Sequence, residues 1–387
     1  MRWWMLGLFL AAGLSLGGCA QAEPLQSAPH APVELAVWHA YWDVKGGEGD
    51  YRMMRDKLAK VAVFAVCYDE KDELYVPEEV KTMVNSYRIR KVERYLSFTN
   101  DIVGKKRVEK DRELLRRLLA TDEGLEKEAK AMADIAEKFG MEGIELDYEN
   151  FRKDEEIMVR YVAFAKKLAE VAEKRGLKLR IVLEPLMAYD VGLPEGPEYV
   201  VMFYNLHGKH SGPGAKADRA FIEKSLKKME ALPGKKAAAF ATGGCLWQDY
   251  GFFGWKKGEA RFLTESEAAA LAKKHGKKPE RDAESAALHF KFSADGHDAE
   301  VWYADAETLN AWITLAAENG VEAVSLWRLG GSDTLADVRC EERKGRDGNS
   351  HARWEDKEKK REEGGALRPG LLGRRPLQHR GSRRACG

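Results

Sequence analysis

The chain has 387 residues, enough for one large barrel or two ordinary domains. Lysine plus arginine (64) almost cancels aspartate plus glutamate (63), which argues against a nucleic-acid partner or one captured by long-range charge. Ten tryptophans make it rich in aromatic surface, a weak signal because tryptophan is also ordinary core material.

In chain order, Met1-Arg2 is a short basic start, followed by an apolar stretch from Trp3 to Leu16 and then Leu16-Gly17-Gly18-Cys19. The apolar run is short for a membrane span and reads as a signal peptide over residues 1–18. Its ending resembles the bacterial lipoprotein cleavage box. That resemblance implies a lipid on Cys19 and attachment to a membrane of the cell envelope, the outer one where the cell has two. A common secretory signal containing a cysteine is the other reading. Residues 19–32, rich in alanine, proline and serine, read as a tether.

From Val33 onward short β-rich runs alternate with amphipathic segments. Eight strands are predicted, at Leu35–Trp42, Val61–Tyr68, Arg94–Thr99, Gly143–Asn150, Leu177–Leu186, Tyr199–Leu206, Ala237–Gly243 and Ala323–Leu329. Helices are predicted at Asp122–Phe139 and Glu155–Lys174, the second stopped by Gly176. Alternating strands and helices imply a parallel sheet with right-handed crossovers. Eight such units fit an α/β fold of the (β/α)8 TIM-barrel type, for which roughly 250 residues is typical. A doubly wound open sheet is the alternative, without a GxGxxG loop to support it. An α+β insertion is expected between strands seven and eight, over 245–305. It holds an aromatic-rich loop (Trp247, Tyr250, Phe252, Phe253, Trp255), a helix near Thr264–Lys274, and a hairpin turning at Asp295-Gly296. The barrel domain is expected to span 33–337, and the Arg-, Lys-, Glu- and Gly-rich tail over 338–387 reads as disordered or aberrant. Cys67, Cys245, Cys340 and Cys386 show no CxxC spacing, so neither a structural disulfide nor a metal site is expected from them.

The most informative segment is Met141-Glu142-Gly143-Ile144-Glu145-Leu146-Asp147-Tyr148-Glu149-Asn150. Period-two alternation puts Glu145, Asp147 and Glu149 on one face and Ile144, Leu146 and Tyr148 on the other. Ionised carboxylates are costly to bury unless paired, protonated or coordinating something. Three readings follow: an acidic face in water, a Mg²⁺ or Ca²⁺ site, or a carboxyl acid tuned by carboxylate neighbours, as in glycosidases. The third is preferred. Tyr41, Trp42, Asn100 and Glu184 fall at the carboxyl ends of predicted strands, where barrel active sites are built, and are cleft candidates.

These motifs resemble glycoside hydrolase family 18. Glu142-x-x-Glu145-x-Asp147-x-Glu149 matches the spacing of its DxxDxDxE stretch, and Met202-Phe203-Tyr204-Asn205 is similar to its M-x-Y-D stretch. The run Leu206 to Gly214, the segment Val301-Trp302-Tyr303-Ala304-Asp305 and the ending Ser325-Leu326-Trp327-Arg328-Leu329-Gly330-Gly331 resemble the branch of spore-cortex and related wall-lytic glucosaminidases. The resemblance implies a retaining hydrolase in which the substrate's N-acetyl group is the nucleophile. It implies Glu149 as general acid and then base, kept protonated by ionised Asp147. Asp147 would orient the acetamido N–H, Tyr204 would hydrogen-bond its carbonyl, and Trp327 would floor the sugar subsite. Glu145 and Asn205 would complete the substrate contacts. The implied partner is a β-linked N-acetylglucosamine polymer, with peptidoglycan or its fragments ahead of chitin or an N-glycan core. No cofactor, metal or nucleic acid is implied, and a monomer is expected. Glu142, Glu145 and Asn205 stand where the family usually has aspartate, so the partners of Asp147 and the acetamido contacts are in question. A chitinase-like protein that binds sugar without cleaving it is the competing reading.

Overall fold

The computed structural model describes residues 24–26, 33–88, 92–185, 187–249 and 258–340. The signal peptide with Cys19, most of the tether, the aromatic positions Tyr250, Phe252, Phe253 and Trp255, and the tail beyond Cys340 lie outside the described residues.

Among the described residues fourteen strands and eight α-helices run in the order β1 (Glu34–Ala40), α1 (Val44–Met54), β2 (Leu58–Tyr68), β3 (Leu74–Tyr75), α2 (Glu79–Arg88), β4 (Glu93–Ile102), α3 (Arg112–Leu118), α4 (Asp122–Lys138), β5 (Gly143–Asp147), α5 (Glu155–Lys174), β6 (Lys178–Leu183), β7 (Glu198–Met202), α6 (Arg219–Met229) and β8 (Lys235–Ala241). Then come β9 (Gly243–Gln248), β10 (Glu259–Leu263), α7 (Glu265–Lys274), β11 (Glu280–Arg281), β12 (Leu288–Ala294), β13 (His297–Ala304), α8 (Ala306–Glu318) and β14 (Ala323–Trp327). Eight strands are parallel in the order β1-β14-β8-β7-β6-β5-β4-β2, and β1 pairs back onto β2, so the sheet closes into a (β/α)8 barrel.

Alternation decides what each strand face meets. Outward residues such as Leu96, Phe98, Ile144, Leu146, Ile181 and Val201 join the large core beneath the helices. The α5 stripe Ile157, Tyr161, Phe164, Ala165, Leu168 and Val171 packs there, at the three-to-four spacing of one helix face. Asp154 caps α5 on the Ile157 N–H, and Gly176 ends the segment at φ 67°. Inward residues form a second cluster, in which Ala237, Ala239 and Ala241 of β8 leave space for Trp38, Tyr95 and Trp327. Gly143 is required there: a Cβ would lie 2.5 Å from the Tyr95 ring.

Strand ends differ from expectation where local geometry changes. β5 stops at Asp147, where its pairing with β4 runs out at Thr99, so Glu149 lies on the segment just beyond the strand. β6 stops at Leu183, two residues before Pro185, which has no N–H for a ladder. β7 stops at Met202, which places Tyr204 and Asn205 past its end.

The insertion starts earlier than expected, because Gly243 opens β9 immediately after β8. Its antiparallel sheet runs β10-β9-β13-β12-β11. The hairpin pairs Ala294 with His297 across Asp295 (φ 53°) and Gly296 (φ 80°), the left-handed pair that a two-residue turn needs. Thr264 and Glu267 form a reciprocal capping box at the start of α7. Trp247 belongs to β9 rather than to a loop, and its indole donates to the Gly208 and Ser211 carbonyls at 3.2 and 3.0 Å. At the edges of the expected barrel domain, Leu25 bonds Ala283, and residues 338–340 pack through Lys57 and Asn310.

Candidate active site

The carboxyl ends of the barrel strands gather Tyr41, Trp42, Asn100, Asp147, Glu149, Glu184, Tyr204, Asn205 and Trp327 at one face. Glu145 lies deepest. The Trp38 indole and the Ser97 hydroxyl (2.6 Å) both donate to its Oε1, and Arg180 Nη1 stands 2.8 Å from its Oε2. Arg180 is 1% exposed and continues the chain of charge: its Nε is 3.2 Å from Glu198, which Lys60 meets at 3.0 Å. Burial opposes the charge on both groups, yet Glu145 and then Glu198 raise Arg180, while Arg180 and Lys60 hold Glu198 below the usual carboxylate range.

Asp147 stands next toward the mouth. Burial, then the Glu149 charge, drives its carboxyl well above the ordinary range, with Lys110 opposing. Its Oδ1 is buried and has no hydrogen-bond partner among the described residues. Burial and the neighbouring charge thus both favour the neutral form of Asp147.

Glu149 is anchored by its main chain. Asn100 Oδ1 accepts the Glu149 N–H at 2.9 Å, and Asn100 Nδ2 donates to the Glu149 carbonyl at 3.0 Å. Asn100, expected to contact substrate, is wholly buried, with its amide given to this clamp and to the Asp111 carbonyl at 3.1 Å. Glu184 plays a related part: its carboxylate accepts the Asn150 N–H at 2.8 Å, and burial followed by the Glu149 charge pushes its carboxyl up. The Glu149 carboxylate itself is met by the Lys110 ammonium. Burial penalises that ammonium, but Glu149 and Asp147 outweigh the penalty and raise its pKa, so Lys110 carries its charge.

Tyr204 is buried, and burial followed by the charges of Glu149, Asp147 and Glu145 raises its phenol well above the usual value. It is an O–H donor facing three acids. Asn205 is exposed at φ 66°, and Lys216 donates to its Oδ1 at 3.4 Å. Trp327 packs with Phe64 and Trp38 at centroid distances of 4.7 and 5.9 Å, and Trp42, 44% exposed, adjoins it at 6.4 Å. Tyr41 stacks edge-on against Trp42 at 5.2 Å. Glu142 is not at the site: it precedes β5 at the opposite end of the barrel, where Arg94 grips it through backbone and guanidinium. It therefore has no part in how Asp147 chooses partners.

Arg180, Trp38, Ser97 and Lys110 went unnoticed in the sequence. Arg180 had a signal, a cation at an inward position of an apolar strand beside the acidic one. Lys110 had none, lying in a basic loop without periodicity. Among the described residues no group of three or more His, Cys, Asp or Glu has the arrangement to hold a metal ion, and no helix is long and apolar enough to cross a membrane.

The sequence matches no family model and no curated protein. Solved structures do resemble it. The spore cortex-lytic enzyme SleL of Bacillus cereus superposes with a TM-score of 0.67 at 19% identity, over 81% of this chain and 76% of that one. This barrel is a known fold. SleL of Bacillus megaterium gives 0.68 at 16% identity, over 82% of this chain and 76% of the other. A chitinase from Chromobacterium violaceum gives 0.67 at 18% identity, over 79% of this chain and 96% of that one. At these identities the likeness establishes a shared barrel architecture.

Proposed function

We propose that the chain is a retaining glycosidase of the family 18 type, acting on β-linked N-acetylglucosamine polymers with the substrate's acetamido group as nucleophile. One observation carries the reading: at the strand ends a deeply buried Asp147 with an unpartnered oxygen sits beside a Glu149 whose backbone is clamped. An acetamido N–H is the donor that this buried acceptor lacks, and Tyr204 supplies an O–H for the acetamido carbonyl.

In this scheme the proton resting on Asp147 passes to Glu149. The Asp147 carboxylate left behind accepts the acetamido N–H. Glu149 protonates the glycosidic oxygen as the acetamido oxygen attacks the anomeric carbon, so the bond to the leaving sugar breaks as the oxazolinium ring closes. Asp147 balances the positive charge of that ring. Glu149, now a carboxylate, takes a proton from the water that reopens the ring, and configuration at the anomeric carbon is retained. Trp327 and Trp42 provide aromatic surface for the sugars.

The names of two structural neighbours, both spore cortex-lytic enzymes, support a cell-wall glycan over chitin. Reducing-end release from N-acetylglucosamine oligomers and purified peptidoglycan, by wild type and Glu149→Gln, tests the reaction. The variant should lose at least about a hundredfold in kcat, the usual reach of general acid catalysis. Undiminished turnover would remove Glu149 from the mechanism. The Lys110 contact on Glu149 favours one competitor, a barrel that binds glycan without cleaving it. Binding without turnover by wild type would establish that reading instead. We further propose a monomer lipid-anchored through Cys19, so that Cys19→Ser moves the protein out of the membrane fraction. Unchanged partitioning would leave a secreted form.

A further inference from the structure

Residues 103–110 join β4 to α3 at the strand-end face and carry Lys105, Lys106, Arg107 and Lys110 against a single acid, Glu109. Two of these cations turn toward the site. The Arg107 guanidinium stands 5.5 Å from the Trp42 ring and 3.1 Å from Asp101, while the Lys110 ammonium meets Glu149.

The backbone of this loop is held independently of those side chains. Ile102 and Val108 exchange hydrogen bonds of 2.8 and 3.0 Å. The Lys110 N–H donates to Asp101 Oδ1 at 2.9 Å, and Asn150 Nδ2 donates to the Lys110 carbonyl at 3.1 Å. The Lys110 side chain, 42% exposed, is thus a long stem on a fixed base. Its ammonium is not needed to hold the loop. It occupies Oε1 of Glu149, one of the two oxygens able to carry a proton to a glycosidic bond. Taking an ammonium off a carboxylate is unfavourable unless another anion receives it.

We propose that Lys110 determines specificity as a latch: it caps Glu149 in the free protein and releases it when a carboxylate on the bound glycan takes the ammonium. This rests on Glu149 being the acid. The ligand chemistry is a β-linked N-acetylhexosamine polymer in which the neighbouring sugar carries a carboxyalkyl ether, as muramic acid does. An unmodified N-acetylglucosamine oligomer has no anion to open the latch. Arg107, over the exposed Trp42, adds a second positive charge along the same rim.

The test compares three substrates of equal length: a wall glycan fragment with free carboxylates, the same fragment as its methyl ester, and an N-acetylglucosamine oligomer. Values of kcat/KM are measured for wild type, Lys110→Met and Lys110→Arg, with melting curves to establish that each is folded. Wild type should favour the free carboxylate over the ester by about ten- to a hundredfold, the range of a charge-assisted hydrogen bond. Lys110→Met should bring that ratio close to one, and Lys110→Arg should keep most of it. Equal rates of wild type on acid and ester, or an unchanged ratio in Lys110→Met, would overturn the latch. If Lys110→Met does not fold, loss of the preference in Lys110→Arg likewise overturns it. Glu149→Gln separates the two ideas. If it cleaves all three substrates undiminished, the acid assignment falls and the latch with it. If it is inactive while Lys110→Met keeps the preference, only the latch falls.

Discussion

Asn100 holds Glu149 by its peptide and not by its carboxylate, accepting the N–H on one side and donating to the carbonyl on the other. The clamp aims the side chain without itself using either carboxylate oxygen. Asn100→Ala leaves buried peptide groups unpaired, at about 1–3 kcal/mol each. A displacement of the acid by an ångström costs about a hundredfold in rate. The expected result is a roughly hundredfold fall in kcat with KM nearly constant, together with a lower melting temperature. A variant with full kcat would show that Glu149 is positioned by something else.

Arg180 is the only cation of the described residues that pairs with Glu145, and it also meets Glu198. Arg180→Met keeps much of the volume but leaves buried Glu145 without its cation and Glu198 with Lys60 alone. Breaking a buried pair by removing one partner costs about 3–5 kcal/mol. Urea denaturation at pH 7 should read a loss of that size, shrinking at pH 4 as the stranded acids take up protons. A loss below about 1 kcal/mol, against that expectation, would show that the barrel relaxes to admit water.

A pH-dependent stability term is expected from Asp50. It reaches from α1 to accept the Gly330 and Ser332 N–H groups at 2.7 and 3.3 Å, and burial pushes its carboxyl up to about 6. The unfolded value is about 4. Between about pH 4 and pH 6 the native state therefore holds more protons than the unfolded one, and stability falls as pH rises through that window. Asp50→Asn retains an oxygen acceptor without the charge. It should gain on the order of 2 kcal/mol over wild type at pH 7 and little at pH 4. A difference in melting temperature that is the same at both pH values would exclude Asp50 as the source.

The fold was legible because two periodicities repeat in order. The acidic strand shows why: Ile144 and Leu146 point to the helix layer and Glu145 and Asp147 to the interior, and no tertiary information is needed to see it. The ends of elements were less legible. Glu149 and Tyr204 look like strand residues, yet both lie past the last ladder pair, and such ends depend on where neighbouring strands stop. Trp247 illustrates the converse error, since an aromatic expected in a loop is the penultimate residue of the β9 strand.

The order of residues along the chain determined that three acids share one face, that eight strand–helix units follow one another, and that stretches resembling family 18 motifs run through them. Side-chain alternation is a local property, and a single strand suffices to express it. What touches each acid was decided only in three dimensions. Arg180 comes from the next strand, Asn100 from the preceding one and Lys110 from a loop, and burial pushes the Asp147 carboxyl well above its ordinary range. The charges that set this site are tens of residues apart in sequence and a few ångströms apart in the barrel.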